Sequence, residues 1–174
     1  MSSSQLKRLV AFVLSLALAA CGAPPREKPA PVGLPELSLY RSLSHSDAEV
    51  DAEAARDMIS QYRRNHGLGE LALDAKLQQV ARRRVEAMAR RGAVDPRFAG
   101  GVSGRLSALG AGDGAAIENL SAGYDTLAEA FSGWRQSPAH NARMLDARAH
   151  RMGLATAYAP GSKFKVYWAL VLAD

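Results

Sequence analysis

A single cysteine, Cys21, is all that the 174 residues contain. One thiol excludes a disulfide within the chain and any structural zinc site built on several thiolates. The apolar run Leu9–Ala20, broken only by Ser15, is 12 residues long. That falls short of the ~20 apolar residues a membrane-spanning helix needs. No segment repeats, which excludes repeat architectures. Two glycine-rich stretches lack the context that would give them chemistry. Gly110-Ala111-Gly112-Asp113-Gly114 has no strand before it and no helix opening from it, so it is no phosphate cradle. Gly101-Val102-Ser103-Gly104 lacks the spacing of a nucleophile elbow. Both are expected to be flexible connectors.

What is present begins at the N-terminus. Lys7 and Arg8 precede the apolar run, which has the length of a signal-peptide core. It ends in Leu18-Ala19-Ala20-Cys21-Gly22, which resembles the bacterial lipobox, where small residues precede a cysteine that is diacylated and becomes the new N-terminus. The resemblance implies that residues 1–20 are a lipoprotein signal peptide and that Cys21 carries lipid of the palmitate kind. The chain is then exported and anchored to the cell membrane or outer membrane, facing the periplasm or the surface. Gly22, in place of Asp, favours the outer membrane under the sorting rule of enterobacterial lipoproteins. Of 22 Lys and Arg against 17 Asp and Glu, Lys7 and Arg8 leave with the signal, so the net charge falls from +5 to +3. A mildly basic exported chain suits anionic envelope polymers or lipid headgroups, and nucleic acid is not an expected partner.

Five of the eight prolines (Pro24, Pro25, Pro29, Pro31 and Pro35) fall between Gly22 and Glu36. Proline fixes φ and removes a donor, so residues 21–45 are expected to form the lipidated cysteine and an extended tether. Residues 46–174 then form one domain, long enough to bury a core and expected to be monomeric.

Within that domain, Val50, Ala54, Met58 and Tyr62, with Ala55 and Ile59 beside them, predict a helix capped by Ser46 or Asp47 and ended by Gly67. Asp74 caps a second helix with Leu77, Val80, Ala81, Val85 and Met88 inward and Gly92 at its C′ position. Its Arg82-Arg83-Arg84 run and Arg90-Arg91 pair read as a solvated face. Arg105–Leu109 predicts a short helix. Thr126-Leu127-Ala128-Glu129 is a capping box opening a helix to about Arg135, and Ser137-Pro138 starts another to about Leu145. Beyond His150 the period becomes two. Met152, Leu154, Thr156 and Tyr158 alternate, Ala159-Pro160-Gly161-Ser162 predicts a type II turn, and Phe164, Val166, Trp168, Leu170 and Leu172 alternate again. Tyr167, Ala169 and Val171 make the last strand apolar on both faces, which requires cover on both sides. The fold class is α+β, with helices flanking a mainly antiparallel sheet.

The order of local motifs resembles the bacterial CAP domain, also called the SCP or cysteine-rich secretory protein superfamily. The pieces are Arg63-Arg64-Asn65-His66-Gly67, Leu71-Ala72-Leu73-Asp74, Ala81 through Gly92, and Glu118-Asn119-Leu120. They continue with Gly133-Trp134, Ser137-Pro138-Ala139-His140-Asn141, and Met152-Gly153-Leu154 before a Tyr-Trp strand. The resemblance implies a three-layer α-β-α sandwich with a cleft that in many relatives holds two His and two acidic residues around a divalent metal. Glu118 and His140 match two of these positions. Ala93–Phe98 offers no histidine where relatives have Ser-His, and Arg151 stands where relatives place an acidic residue or histidine. His150, one position earlier, is expected on the other face of its strand.

Glu118 and His140 are thus the weak candidates for metal binding and for acid/base catalysis. Two ligands are too few for tight zinc, so no cofactor is expected. Glu118, Asn119, His140 and Arg151 are the expected cleft residues, with Arg151 able to pair with Glu118 and Asn119 supporting loop backbone. His140, near a helix N-terminus, is expected to be biased toward neutral. His45 and His66 are expected to be solvated, and Trp134 and Trp168 to be core. The preferred expectation is a membrane-tethered, non-enzymatic binding module for an envelope lipid, glycan or protein. The alternative is a peptidase-like envelope hydrolase using Glu118 and His140. A third reading has basic helix two contacting anionic partners.

Overall fold

The computed structural model describes residues 38–96, 101–108 and 116–174, all within the folded unit Gly33–Asp174. The signal peptide, Cys21 and the proline-rich run lie outside the described residues, as does Gly110–Gly114. In chain order the elements are a 3-10 turn at Ser38–Tyr40, α1 (Ala52–Asn65), β1 (Ala72–Leu73), α2 (Ala75–Arg91), α3 (Gly101–Ala108), β2 (Ala116–Ala122), α4 (Leu127–Gln136), α5 (Pro138–Met144), β3 (Arg151–Ala159) and β4 (Lys165–Ala173).

The four strands form one sheet in the order β1-β3-β4-β2, with β1 parallel to β3 and the other pairs antiparallel. β4 is central, and Val166 to Ala173 are all buried, which explains the run apolar on both faces. Even-numbered residues of β4 (Trp168, Leu170, Leu172) join Ile59, Leu127, Trp134 and Met144 from α1, α4 and α5. Odd-numbered ones (Tyr167, Ala169, Val171) join Leu77, Val80, Val85 and Met88 of α2 and Leu106 of α3. This is the expected three-layer α-β-α sandwich. Burying each large apolar side chain contributes about 1.5–3 kcal/mol, which makes the doubly covered strand the spine of stability. Trp134 and Trp168 meet edge to face with ring centroids 6.0 Å apart, and their indole N–H groups donate to Ser121 Oγ and the Tyr124 carbonyl. Both are core, as expected.

Local signals explain most boundaries. Asp74 accepts from the amides of Lys76 and Leu77, and Gly92 ends α2 at φ 65°. The Thr126–Glu129 capping box is complete. Pro138 opens α5, though the Ser137 side chain makes no capping bond. Two motif glycines have steric reasons. A Cβ on Gly133 would lie 2.0 Å from the Tyr124 hydroxyl, and one on Gly153 would lie 2.2 Å from the Leu77 carbonyl carbon. Tyr124 therefore lies across α4, and α2 presses its backbone onto β3.

Several expectations are corrected. α1 is capped by Asp51, whose carboxylate accepts from the Ala54 amide, and not by Ser46 or Asp47. Its fully buried stripe is Ala55, Ile59 and Arg63, with Met58 and Tyr62 partly exposed. The domain begins before Ser46: Leu43 is buried, its amide bonds the Asp125 carbonyl, and Ser42 and Ser44 both donate to the Asp125 carboxylate. Gly101–Gly104 is not a connector but the first half of α3, held by burial of Leu106 against α2. Ser162 N–H bonds the Ala159 carbonyl, but Gly161 lacks the positive φ of a type II turn; the left-handed residue in this hairpin is Lys165, at φ 64°.

Candidate functional site

β2 is an edge strand, so its two faces meet at an open margin of the sheet. Glu118 stands opposite Val171 and faces the α2 layer, whereas Asn119 stands opposite Leu170 and faces α5. The Glu118 carboxylate meets Arg84 of α2, with Nη2 3.5 Å from Oε1 and side chains only 1% and 10% exposed. Arg84 also donates to the Asp95 carbonyl. The arginine run is therefore not uniformly solvated: Arg82 and Arg83 are exposed, but Arg84 points inward. The α2 periodicity contains that signal, since Leu77, Ala81, Arg84 and Met88 form one i, i+4, i+7, i+11 stripe.

On the other face Asn119 is fully buried, and its Nδ2 donates to the His140 carbonyl at 2.9 Å. It pins the first turn of α5, an element rather than a loop, and so positions His140. Asn119 Oδ1 has no hydrogen-bond partner among the described residues. Partial burial lowers the pKa of His140 below its ordinary 6.5, and the nearby Arg143 lowers it further. The expected bias toward neutral is thus found, with burial as its main cause. Glu118 and His140, arriving from opposite layers, line one cavity of about 210 Å³ with Pro96, Ile117, Leu120 and Arg143.

Arg151 is not part of this cleft. Its guanidinium pairs with Asp74 at 3.0 Å and donates to the Asp174 carbonyl at 2.7 Å. The strand order explains why: Arg151 lies on β3, and β4 separates it from β2. Glu118 takes its cation from Arg84 instead. His150, His45 and His66 are exposed.

The donor set can be tested against a divalent metal. Glu118 shares its carboxylate with a buried guanidinium, and His140 lies near the half-buried Arg143. Among the described residues no group of three His, Cys, Asp or Glu side chains converges. A tight zinc site wants three protein ligands and a water, so these residues do not fit one. What the arrangement offers is a small, mixed-charge recess: hydrogen-bond acceptors on Glu118 and neutral His140, donors on Arg143, and an apolar floor.

A second buried arginine, Arg63, opens the family-like Arg63–Gly67 stretch, but the sequence reading gave it no role. Arg63 donates to the carbonyls of Gly69, Met144, Asp146 and Ala149 at 2.8–2.9 Å. It ties α1 to the end of α5 and the segment that follows it. Desolvation lowers its pKa, partly offset by Asp146. Its burial is signalled in the sequence by its place on the Ala55–Ile59–Arg63 stripe.

No helix among the described residues is long and apolar enough to cross a membrane. No functionally curated protein matches the sequence. Solved structures do match in fold. An outer surface protein from Borrelia burgdorferi aligns with a TM-score of 0.63 at 15% identity, over 70% of this chain and 90% of its own. An extracellular SCP-domain protein from Bacillus anthracis aligns at 0.61 and 22% identity, over 71% of this chain and 40% of its own. A cysteine-rich secretory protein from Staphylococcus aureus aligns at 0.60 and 16% identity, over 71% and 38%. This chain thus spans about two fifths of the latter two proteins. At such identities the likeness is one of fold. The cysteine-rich secretory protein family model, CAP, matches residues 56–172, and the chain belongs to that family.

Proposed function

We propose that this protein is a non-enzymatic binding module of the cell envelope, tethered through lipid on Cys21, whose cleft receives a small polar group of an envelope ligand. The observation that carries the reading is the Arg84–Glu118 pair. A carboxylate turned toward a buried guanidinium 3.5 Å away is poorly placed to serve as a general base or as a metal ligand. The cavity, at about 210 Å³, is smaller than the ~300–1,000 Å³ of typical small-molecule sites, and suits one substituent of a larger ligand. Export and anchoring are supported by the lipobox-like Leu18–Gly22. The structural neighbours include an outer surface protein and an extracellular protein by their own descriptions.

Two experiments test the two halves. Cys21→Ser should abolish uptake of labelled palmitate and release the protein from membranes; continued uptake would refute the anchor. Native mass spectrometry of the protein taken from its own envelope should show an organic adduct that is lost in Glu118→Ala and His140→Ala. A retained metal ion lost in the same variants would favour the rival hydrolase reading, since the structure does bring Glu118 and His140 to one cavity.

A further inference from the structure

The opposite margin of the sheet has a different character from the β2 cleft. β1 is only two residues long and covers β3 only at Arg151 and Met152. There the Ala72 amide donates to the His150 carbonyl and the Asp74 amide to the Met152 carbonyl, so even-numbered backbone groups of β3 point outward. At the next outward position a side chain replaces the missing strand. The Gln78 carboxamide accepts from the Leu154 amide at 3.0 Å and donates to its carbonyl at 2.6 Å, as a backbone neighbour would. Beyond it the substitution stops. By alternation the N–H and C=O of Thr156 and Tyr158 face the same way, and no strand lies beside them among the described residues.

Edges of this kind are ordinarily blunted with lysine, proline or a bulge. Gly153 to Ala159 contains no charge and no proline. The edge is also recessed. It opens into a cavity of about 490 Å³ whose walls come from both layers, Val50 and Ala52 on the α1 side and Ala75 and Arg82 on the α2 side, with Leu154 and Thr156 at its base.

We infer that this edge is a docking site for an extended peptide segment of a partner protein, which adds a strand to β3 beyond Gln78. Outward donors and acceptors repeating every second residue are complementary to another backbone, the chemistry of β-strand addition. Small and aliphatic wall residues, Val50 and Ala52 on one side and Ala75 on the other, suit small or β-branched side chains at alternating positions, while Glu49, Asp74 and Arg82 add charges of both signs to the lining. Walls from both layers admit a lone extended chain more readily than a second copy, whose β3 edge is recessed between its own α1 and α2. This surface is separate from the Glu118–His140 cleft and does not depend on its function.

The test uses the full chain, isotope-labelled, and an acetylated peptide alternating valine and threonine as probe. In the chain alone the Thr156 and Tyr158 amides should exchange with solvent rapidly while Leu154 is protected by Gln78. The probe should slow exchange at both by at least about tenfold, the mark of a new ladder bond. Thr156→Pro removes one outward donor, and a fold-checked variant should lose most of the probe affinity while Glu118→Ala keeps it. If that variant fails to fold, the two amide exchange rates still decide the matter. Amides already protected in the chain alone, or unchanged at saturating probe, would overturn the inference. Protection that grows with protein concentration without probe would overturn it in favour of self-association.

Discussion

Arg63 and Arg84 are equally buried and sit on corresponding inward stripes of α1 and α2, yet they serve different ends. Among the described residues, Arg63 is met by four backbone carbonyls and no side-chain carboxylate within hydrogen-bond reach. Arg84 is met by the carboxylate of Glu118 at the margin of a cavity. Backbone acceptors cannot be exchanged by mutation, so the first arrangement is a fixed knot in the chain. A carboxylate is a variable partner that here also lines a cavity, so the second shapes a candidate site. Burial of a cation, taken alone, says nothing about function; the identity of its acceptors does.

The sharpest way to break this contrast is to remove each arginine. Arg63→Met should cost at least about 3 kcal/mol in chemical denaturation, because each orphaned buried acceptor costs ~1–3 kcal/mol. No second-site change in a side chain should rescue it. Arg84→Met should cost about 2–4 kcal/mol by removing the buried guanidinium that faces the Glu118 carboxylate, and Glu118→Gln in the same chain should recover part of the loss. If the two losses proved additive, the ion pair would not be the linking interaction.

Smaller effects refine the picture of the α5 side. Gly133→Ala should cost about 1–3 kcal/mol through overpacking against Tyr124, and Tyr124→Leu should relieve part of it. His140 gives a pH test. Its pKa is lowered in the folded state, so the folded chain binds fewer protons than the unfolded chain near pH 6.5. Its contribution to stability is therefore present above that pH and is lost as pH falls from 6.5 toward the folded pKa. A histidine NMR titration should show a midpoint below 6.5, and Arg143→Gln should move it upward by less than burial lowers it, because Arg143 is the lesser cause. The smallest expected effect is at Asp146, held down to about 2 chiefly by Arg148. Asp146→Asn should change stability little near neutral pH, and less at high salt, since its main partner Arg148 is exposed to solvent.

The sequence carried the fold where signals were local or periodic. Asp74, Gly92 and the Thr126–Glu129 box placed helix ends within a residue, and the apolar faces of β4 required two covering layers. It failed where tertiary packing overrode composition. Gly101–Gly104 is helical because Leu106 is buried, a fact no propensity contains. β2 was unassigned because a strand of mixed Ala, Glu, Asn and Ser shows no alternation, its two faces being half-covered by different layers. At the site, motif spacing identified Glu118, Asn119 and His140, which do come together. It misplaced Arg151, because strand order is a long-range property. It missed Arg84, because a run of three arginines reads as surface unless each is set against the helix period.

The central claim is that the buried Arg84 facing Glu118 makes the Glu118–His140 pair a poor metal or acid/base site, as the proposed binding role requires. Zinc titration of the full chain, followed by calorimetry and by the His140 ring signals, tests it most directly. No saturable micromolar site should appear at Glu118 and His140, and the His140 signals should stay unmoved. One-to-one micromolar binding that shifts those signals and disappears in both Glu118→Gln and His140→Ala would contradict the account.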